Sequence, residues 1–226
     1  MLAVQTENLE MTFYMGDIAV YALRGVSMNM GEGEFVSIVG TSGSGKSTLL
    51  NLVGGLMKPT AGKVHVKGKD LTTMNENNLA LFRRQYIGFV FQSFNLINTL
   101  TAVENVELPL LFSNVSSAER DRKVKSLLTE FGLEDRLDHK PTELSGGQQQ
   151  RVSLARAIIN NPEIILADEP TGNLDSKTSE EIMEVLYNLN REGQTFLVVT
   201  HDMSVAHYGS RIIYLSDGRI TKIEEV

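Results

Sequence analysis

Apolar and polar residues follow two different rhythms along this chain. Near the N-terminus they alternate. Ala19-Val20-Tyr21-Ala22-Leu23 and Val26-Ser27-Met28-Asn29-Met30, closed by Gly31-Glu32-Gly33, predict half-buried strands of an antiparallel edge within residues 1–34. Gly62-Lys63-Val64-His65-Val66-Lys67-Gly68-Lys69 alternates between glycines and joins the same sheet. Elsewhere the apolar runs are short and continuous: Glu34-Phe35-Val36-Ser37-Ile38-Val39, Ile87-Gly88-Phe89-Val90-Phe91, Ile164-Ile165-Leu166-Ala167, Thr195–Thr200 and Ile212-Ile213-Tyr214-Leu215. Such runs fit strands covered on both faces. A helix is predicted over 176–191, with Ile182, Val185, Leu186 and Leu189 inward. Strands alternating with helices imply an α/β fold with a mainly parallel sheet.

The rhythm breaks from about 93 to 160, where the chain reads as loops and helices inserted between core strands. Ser116-Ser117-Ala118-Glu119 has the form of a capping box. After it, Val124, Leu127, Leu128 and Phe131 recur at helical spacing, and Gly132 suits a C-cap.

Composition narrows the classes. With 226 residues, 42% hydrophobic and 22% charged, the chain suits one globular domain with a subdomain. A formal net charge of −7 leaves no basic excess for general nucleic-acid binding. There are no cysteines, which excludes disulfides and thiolate metal sites and suits a reducing cytoplasm. The N-terminus lacks a basic region followed by an apolar core, so no signal peptide is expected. No apolar run approaches the ~20 residues that cross a bilayer.

The candidate chemistry gathers at strand ends. Gly40-Thr41-Ser42-Gly43-Ser44-Gly45-Lys46-Ser47 fits G-x-x-x-x-G-K-[ST] and lies between a predicted strand and a helix that begins Ser47-Thr48-Leu49-Leu50. Glycines let successive N–H groups point at one anion, and the helix start adds its partial positive charge. Lys46 is placed to reach β- and γ-phosphates and Ser47 to ligate Mg²⁺. Asp168 and Glu169 close an apolar strand at the ligand edge of the sheet: Asp168 suits Mg²⁺ through water, and Glu169, turned away from it, suits an attacking water. Leu144-Ser145-Gly146-Gly147-Gln148 opens a helix to about Asn160 with Ser145 as N-cap, a second phosphate site of unstated owner. Gln92 follows the strand 87–91 and His201 follows 195–200. Either can be a solvated polar residue or part of the same crevice. Of the histidines at 65, 139, 201 and 207, none pairs at i,i+4 as a zinc site requires.

The ordered set GTSGSGKS, Gln92, LSGGQ, ILADE, Asn173-Leu174-Asp175 and His201 resembles the nucleotide-binding subunits of ABC transporters over nearly the whole chain. LSGGQ is its most specific element. The stretches 87–111 and 144–175 resemble the prokaryotic lipoprotein-release and macrolide-export branch.

The resemblance implies a P-loop NTPase (RecA-like) core with an antiparallel β subdomain, about 1–92 and 161–226, and a helical subdomain, about 93–160. It implies ATP and Mg²⁺, with Ser47, Gln92 and Asp168 at the metal. Gly40, Ser42, Gly43, Ser44, Gly45, Lys46, Ser47 and Thr48 would hold the phosphates. Two copies would pack head to tail, each ATP touching one chain's glycine loop and the other's Ser145, Gly147 and Gln148, with Asp175 crossing the interface. Glu169, His201, Gln92 and Lys46 would form the catalytic set, and Phe13 or adjacent Tyr14 would stack on adenine. The partner would be a separate integral-membrane permease, met at the cytoplasmic face of the membrane, for export or extraction of lipoprotein, peptide or drug. No nucleic acid is implied. The alternative is a soluble relative working on DNA or ribosomes, although the ~50 residues between Gln92 and Leu144 lack sustained heptads.

Overall fold

The computed structural model describes residues 1–113 and 115–226. The chain opens with a long hairpin, β1 (Leu2–Met15) and β2 (Ile18–Gly31), turning through Gly16 at φ +61°. Then follow β3 (Phe35–Val39), α1 (Lys46–Val53), β4 (Ala61–Val66), β5 (Lys69–Asp70), α2 (Glu76–Tyr86) and β6 (Ile87–Phe91). Three helices come next: α3 (Ala102–Leu111), α4 (Ser117–Glu130) and α5 (Gly146–Ile158). The chain continues through β7 (Ile164–Asp168), α6 (Ser176–Arg191), β8 (Thr195–Thr200), α7 (Met203–Ala206), β9 (Arg211–Ser216) and β10 (Arg219–Glu225).

The strands form an antiparallel sheet of order β2-β1-β4-β5 and a six-stranded sheet of order β10-β9-β3-β8-β7-β6. In the second, β9, β3, β8, β7 and β6 run parallel and only β10 is antiparallel. Every residue of β3 and β8 is buried, which explains their unbroken apolar runs. At about 1.5–3 kcal/mol for each fully buried Val, Leu, Ile or Phe, these strands contribute heavily to the core.

Two large apolar clusters cover the faces of this sheet. One joins α1 and the inward residues of the hairpin, such as Leu23, Met28 and Met30, to Ile38, Leu166 and Leu197. The other joins Val106, Leu128, Val152 and Leu186 from the helices to Ile165, Phe196 and Val198. Phe35 and Phe196 stack there at 5.3 Å.

Local signals are met with some exchanges. In α6, Ile182 and Leu186 are buried, whereas Val185 and Leu189 are half-buried and Met183 takes a fully covered place. Ser116 caps α4 by accepting from the Glu119 N–H, but the Glu119 carboxylate pairs with Lys123 at 3.0 Å. Reciprocal boxes fall instead at Thr101/Glu104 on α3 and Ser145/Gln148 on α5. Gly132 ends α4 at φ +68°, with the Leu133 N–H returning to the Leu128 carbonyl.

Candidate active site

Strand register assembles the site. Val39 is level with Thr200, Val199 with Asp168, and Asp168 with Phe91. The residues just beyond these ends, Gly40, His201, Glu169 and Gln92, therefore emerge along one edge of the sheet. Of these, Gln92, Glu169 and His201 line a cleft of about 740 Å³ together with Thr41, Ser42, Gly43, Gly45, Lys46, Ser47, Thr48 and Asp168, with Val20, Tyr21 and Ala22 of β2 as one wall; Gly40 and Ser44 of the expected set lie outside this lining.

The 40–45 loop is braced from behind. A Cβ on Gly40 would lie 2.1 Å from the Leu215 carbonyl oxygen, and one on Gly45 2.4 Å from that of Ala22. Gly43 and Gly45 stand at φ +80° and +104°. The Ser44 carbonyl accepts from the Gly218 N–H at 3.0 Å, which fixes the loop to the turn between β9 and β10. The Lys46 ammonium donates to the Gly40 and Thr41 carbonyls at 2.8 and 3.1 Å, so it lies across the mouth of the loop. The buried Ser44 hydroxyl has no partner among the described residues. A loop whose Gly40 and Gly45 leave no room for an added carbon, with a cation across its mouth, suits a phosphate chain.

Opposite, the Ser47 hydroxyl donates to the Asp168 carboxylate at 3.1 Å. Both are hard oxygen donors facing the cleft, which suits Mg²⁺. Burial raises the Asp168 carboxyl above its ordinary range; the Ser47 bond opposes this and the Glu169 charge adds to it. Glu169 sits at φ +47°, and its N–H bonds the Val199 carbonyl at 2.9 Å. Its carboxylate accepts from the Thr200 hydroxyl (3.2 Å) and the His201 N–H (3.3 Å), and meets His201 Nδ1 at 2.9 Å. The carboxylate is thus aimed by three groups of one strand end, with the His201 ring exposed toward the cleft.

The Asn173 amide donates to the Gln92 carbonyl at 2.8 Å. The Gln92 side chain lies across Gly172, where a Cβ would come within 2.7 Å of its amide nitrogen.

Other expected residues stand apart. Ser145, Gly147 and Gln148 do not line this cleft. Ser145 accepts from the Gln148 N–H at 3.3 Å, while the Gln148 carboxamide returns to the Ser145 N–H at 3.0 Å, so Gln148 serves its own helix cap. Asp175 caps α6, and the Thr178 N–H and hydroxyl lower its carboxyl. Phe13 is absent from the lining but pairs across strands with Val20, which is in it. Paired residues share a face, so Tyr14 lies on the opposite one, 74% exposed. Val20, Tyr21 and Thr200 have no functional reading in the sequence, and Asn173 enters only within the Asn173-Leu174-Asp175 stretch, without a role. Only Thr200 and Asn173 carry a signal, Thr200 as a polar group beside a strand-end histidine and Asn173 as part of a quoted stretch.

Residues 23–172 match the family described as ABC transporter. The chain belongs to the ABC transporter ATP-binding family. The ABC transporter ATP-binding protein MJ0796 of Methanocaldococcus jannaschii is 53% identical over 228 residues, covering 99% of this chain and 97% of that one. The macrolide export ATP-binding/permease protein MacB of Brucella melitensis is 50% identical over 217 residues, covering 96% of this chain. The chain spans about a third of that longer protein, 34%. Among solved structures, the dimeric MJ0796 cassette in a post-hydrolysis state bound to ADP and Pi matches with a TM-score of 0.92 at 52% identity, covering 98% of both chains. ABC membership fixes the P-loop fold, ATP as the nucleotide and hydrolysis as the reaction. These relatives lend no support to the DNA- or ribosome-acting alternative. Among the described residues, no helix of this ABC chain is long and apolar enough to cross a membrane.

Proposed function

We propose that this ABC chain drives a separate membrane permease at the cytoplasmic face, through a head-to-tail dimer that ATP closes and hydrolysis reopens. One observation carries this reading. The Ser145 helix start has anion-binding chemistry, yet it stands outside the phosphate cleft of its own chain. A phosphate held in the cleft of a second copy would supply its anion. The dimeric MJ0796 structures, one of them bound to ADP and Pi, support a dimer.

In this reading the N–H groups of 43–48 hold the phosphates, and Lys46 exchanges its loop carbonyls for phosphate oxygens. Ser47, Asp168 and Gln92 would hold Mg²⁺, which supplies charge neutralisation at those oxygens. Glu169, held by Thr200 and His201, accepts the proton of an attacking water or orients it in line with the γ-phosphorus. The bond from that phosphorus to the β-phosphate oxygen breaks, leaving ADP and phosphate. His201 faces the departing phosphate. Phe13, on the same face as Val20, stacks on adenine. Asp175 and its helix cap lie at the shared interface. The helical lobe of about 93–160, with the segment after Gln92, receives the permease. Likeness to MacB, a macrolide export protein by name, supports export as the direction and a drug as one cargo class; peptide and lipoprotein rest on the motif resemblance alone.

The test is Glu169→Gln. It removes the basic oxygen and keeps the shape, so phosphate release falls by about 10²–10⁴-fold. With Mg²⁺ and ATP the variant elutes from gel filtration as a dimer. Turnover within twofold of the parent would remove Glu169 from the mechanism.

A further inference from the structure

Gln150 is a buried amide that the reaction as described does not use. It lies on α5 about one and a half turns beyond Ser145 and is fully enclosed, at 0% exposure. Its Nε2 donates to the Pro170 carbonyl. Its Oε1 is buried with no partner among the described residues. An orphaned acceptor weakens the folded state, and a methionine would fill the same space without that penalty. What the amide supplies is its grip on Pro170, the residue directly after Glu169.

That grip falls at a sensitive place. Glu169 is held at φ +47°, an unfavourable backbone conformation for a residue with a side chain. The turn after it is closed by the Gly172 N–H to the Glu169 carbonyl at 3.0 Å and by the Leu174 N–H to the Thr171 carbonyl at 3.0 Å. The rest of α5 is fastened elsewhere. Ser153 and Arg156 donate to the Phe94 carbonyl at 3.1 and 2.8 Å, and Arg151 pairs with Glu181 at 2.9 Å. Among the described hydrogen bonds of α5 side chains, Gln150 alone reaches the turn that sets Glu169.

We infer that Gln150 is a positioning residue for Glu169 and links the two ATP sites of the dimer within each chain. The inference rests on the head-to-tail reading above. In that arrangement Ser145 of a chain touches the ATP in its partner's cleft, whereas Glu169 of the same chain acts on the ATP in its own. A helix moves as a rod. Engagement of its start by one nucleotide is therefore carried, through Gln150 and the Pro170 carbonyl, to the carboxylate facing the other. This is a contiguous element that both sites bias, as coupling requires.

The test uses the full chain carrying Gln150→Met, with Gln150→Glu as a second variant that also lacks the N–H donor. The expected result is a kcat lowered by about fivefold or more, because small misplacements of a reacting group are costly. The ATP concentration at half-maximal rate stays within about twofold, and the parent's Hill coefficient, expected above 1 and bounded by about 2 for two coupled sites, falls to 1. The double variant Gln150→Met/Glu169→Gln still forms the Mg²⁺-ATP dimer. A variant that melts lower but keeps the parent kcat and Hill coefficient makes Gln150 a packing residue and overturns the inference. The underlying reading fails separately: Ser145→Arg in the Glu169→Gln background should abolish the ATP-dependent dimer, and persistence of that dimer removes the head-to-tail arrangement itself.

Discussion

The bracing of the phosphate loop by β2 can be measured with two glycine substitutions. Gly43 and Gly45 both have positive φ, so Gly→Ala at either introduces backbone strain of about 1–2 kcal/mol. They differ in what a methyl group would meet. At Gly43 nothing lies within 4 Å. At Gly45 the new carbon would lie 2.4 Å from the Ala22 carbonyl oxygen and 2.9 Å from Leu23 Cδ2, and ordinary contact begins near 3.4 Å. The oxygen belongs to strand backbone anchored by Leu23 and Val26, each 1% exposed, so it cannot swing aside. Overpacking of this kind costs about 1–3 kcal/mol beyond the strain. At about 2–4 °C per kcal/mol for a chain of this size, Gly45→Ala should melt about 2–12 °C below Gly43→Ala in calorimetry without nucleotide. Adding Ala22→Gly should restore nothing, because the obstacle is a carbonyl rather than a side chain. Equal melting temperatures for the two variants would show that β2 does not brace the loop.

Other expectations follow from the same contacts. The Asp168 carboxyl is raised, so the native state holds its proton to higher pH than the unfolded chain; its ionised form weakens the apo protein at neutral pH, and that penalty fades as pH falls through the native value. Asp168→Asn should therefore raise the apo melting temperature slightly, by about 1–2 °C after screening in the open cleft, while ATPase activity becomes insensitive to Mg²⁺ titration; a lower apo melting temperature would refute the burial argument. Gly147→Ala sets a methyl 2.5 Å from Thr178 Cγ2, so it should impair the ATP-dependent dimer of the Glu169→Gln form, and Thr178→Ser should restore it in gel filtration. Arg156 donates to the carbonyls of Phe94 and Asn95, which have φ +60° and +49°. Arg156→Met should speed hydrogen exchange at 93–97 and leave it unchanged in α6; uniform protection would argue against the clamp.

The residues legible in sequence were those whose local pattern is sufficient. Continuous apolar runs marked β3, β7 and β8 because both faces are covered, and the Gly40–Ser47 pattern is itself a backbone geometry. The α2 helix was not anticipated, since its mean hydropathy is low and only Leu79 and Phe82 are buried. The β10 strand was missed because it is an edge with mostly exposed residues. The roles of Val20 and Tyr21 as cleft wall, and of Asn173 against Gln92, depend on strands and turns that only tertiary packing brings together. The Ser116 box failed in half because Lys123, four residues beyond Glu119, competes for the same carboxylate.

The Ser44–Gly218 hydrogen bond spans about 170 residues of chain. The glycine cradle therefore has its full bracing only once the β9–β10 turn is docked against it. Before that moment the Lys46 segment has the right composition without the right curvature. A nucleotide in the surrounding solution would then leave early folding rates untouched and act as a latch on the finished product, slowing unfolding by mass action.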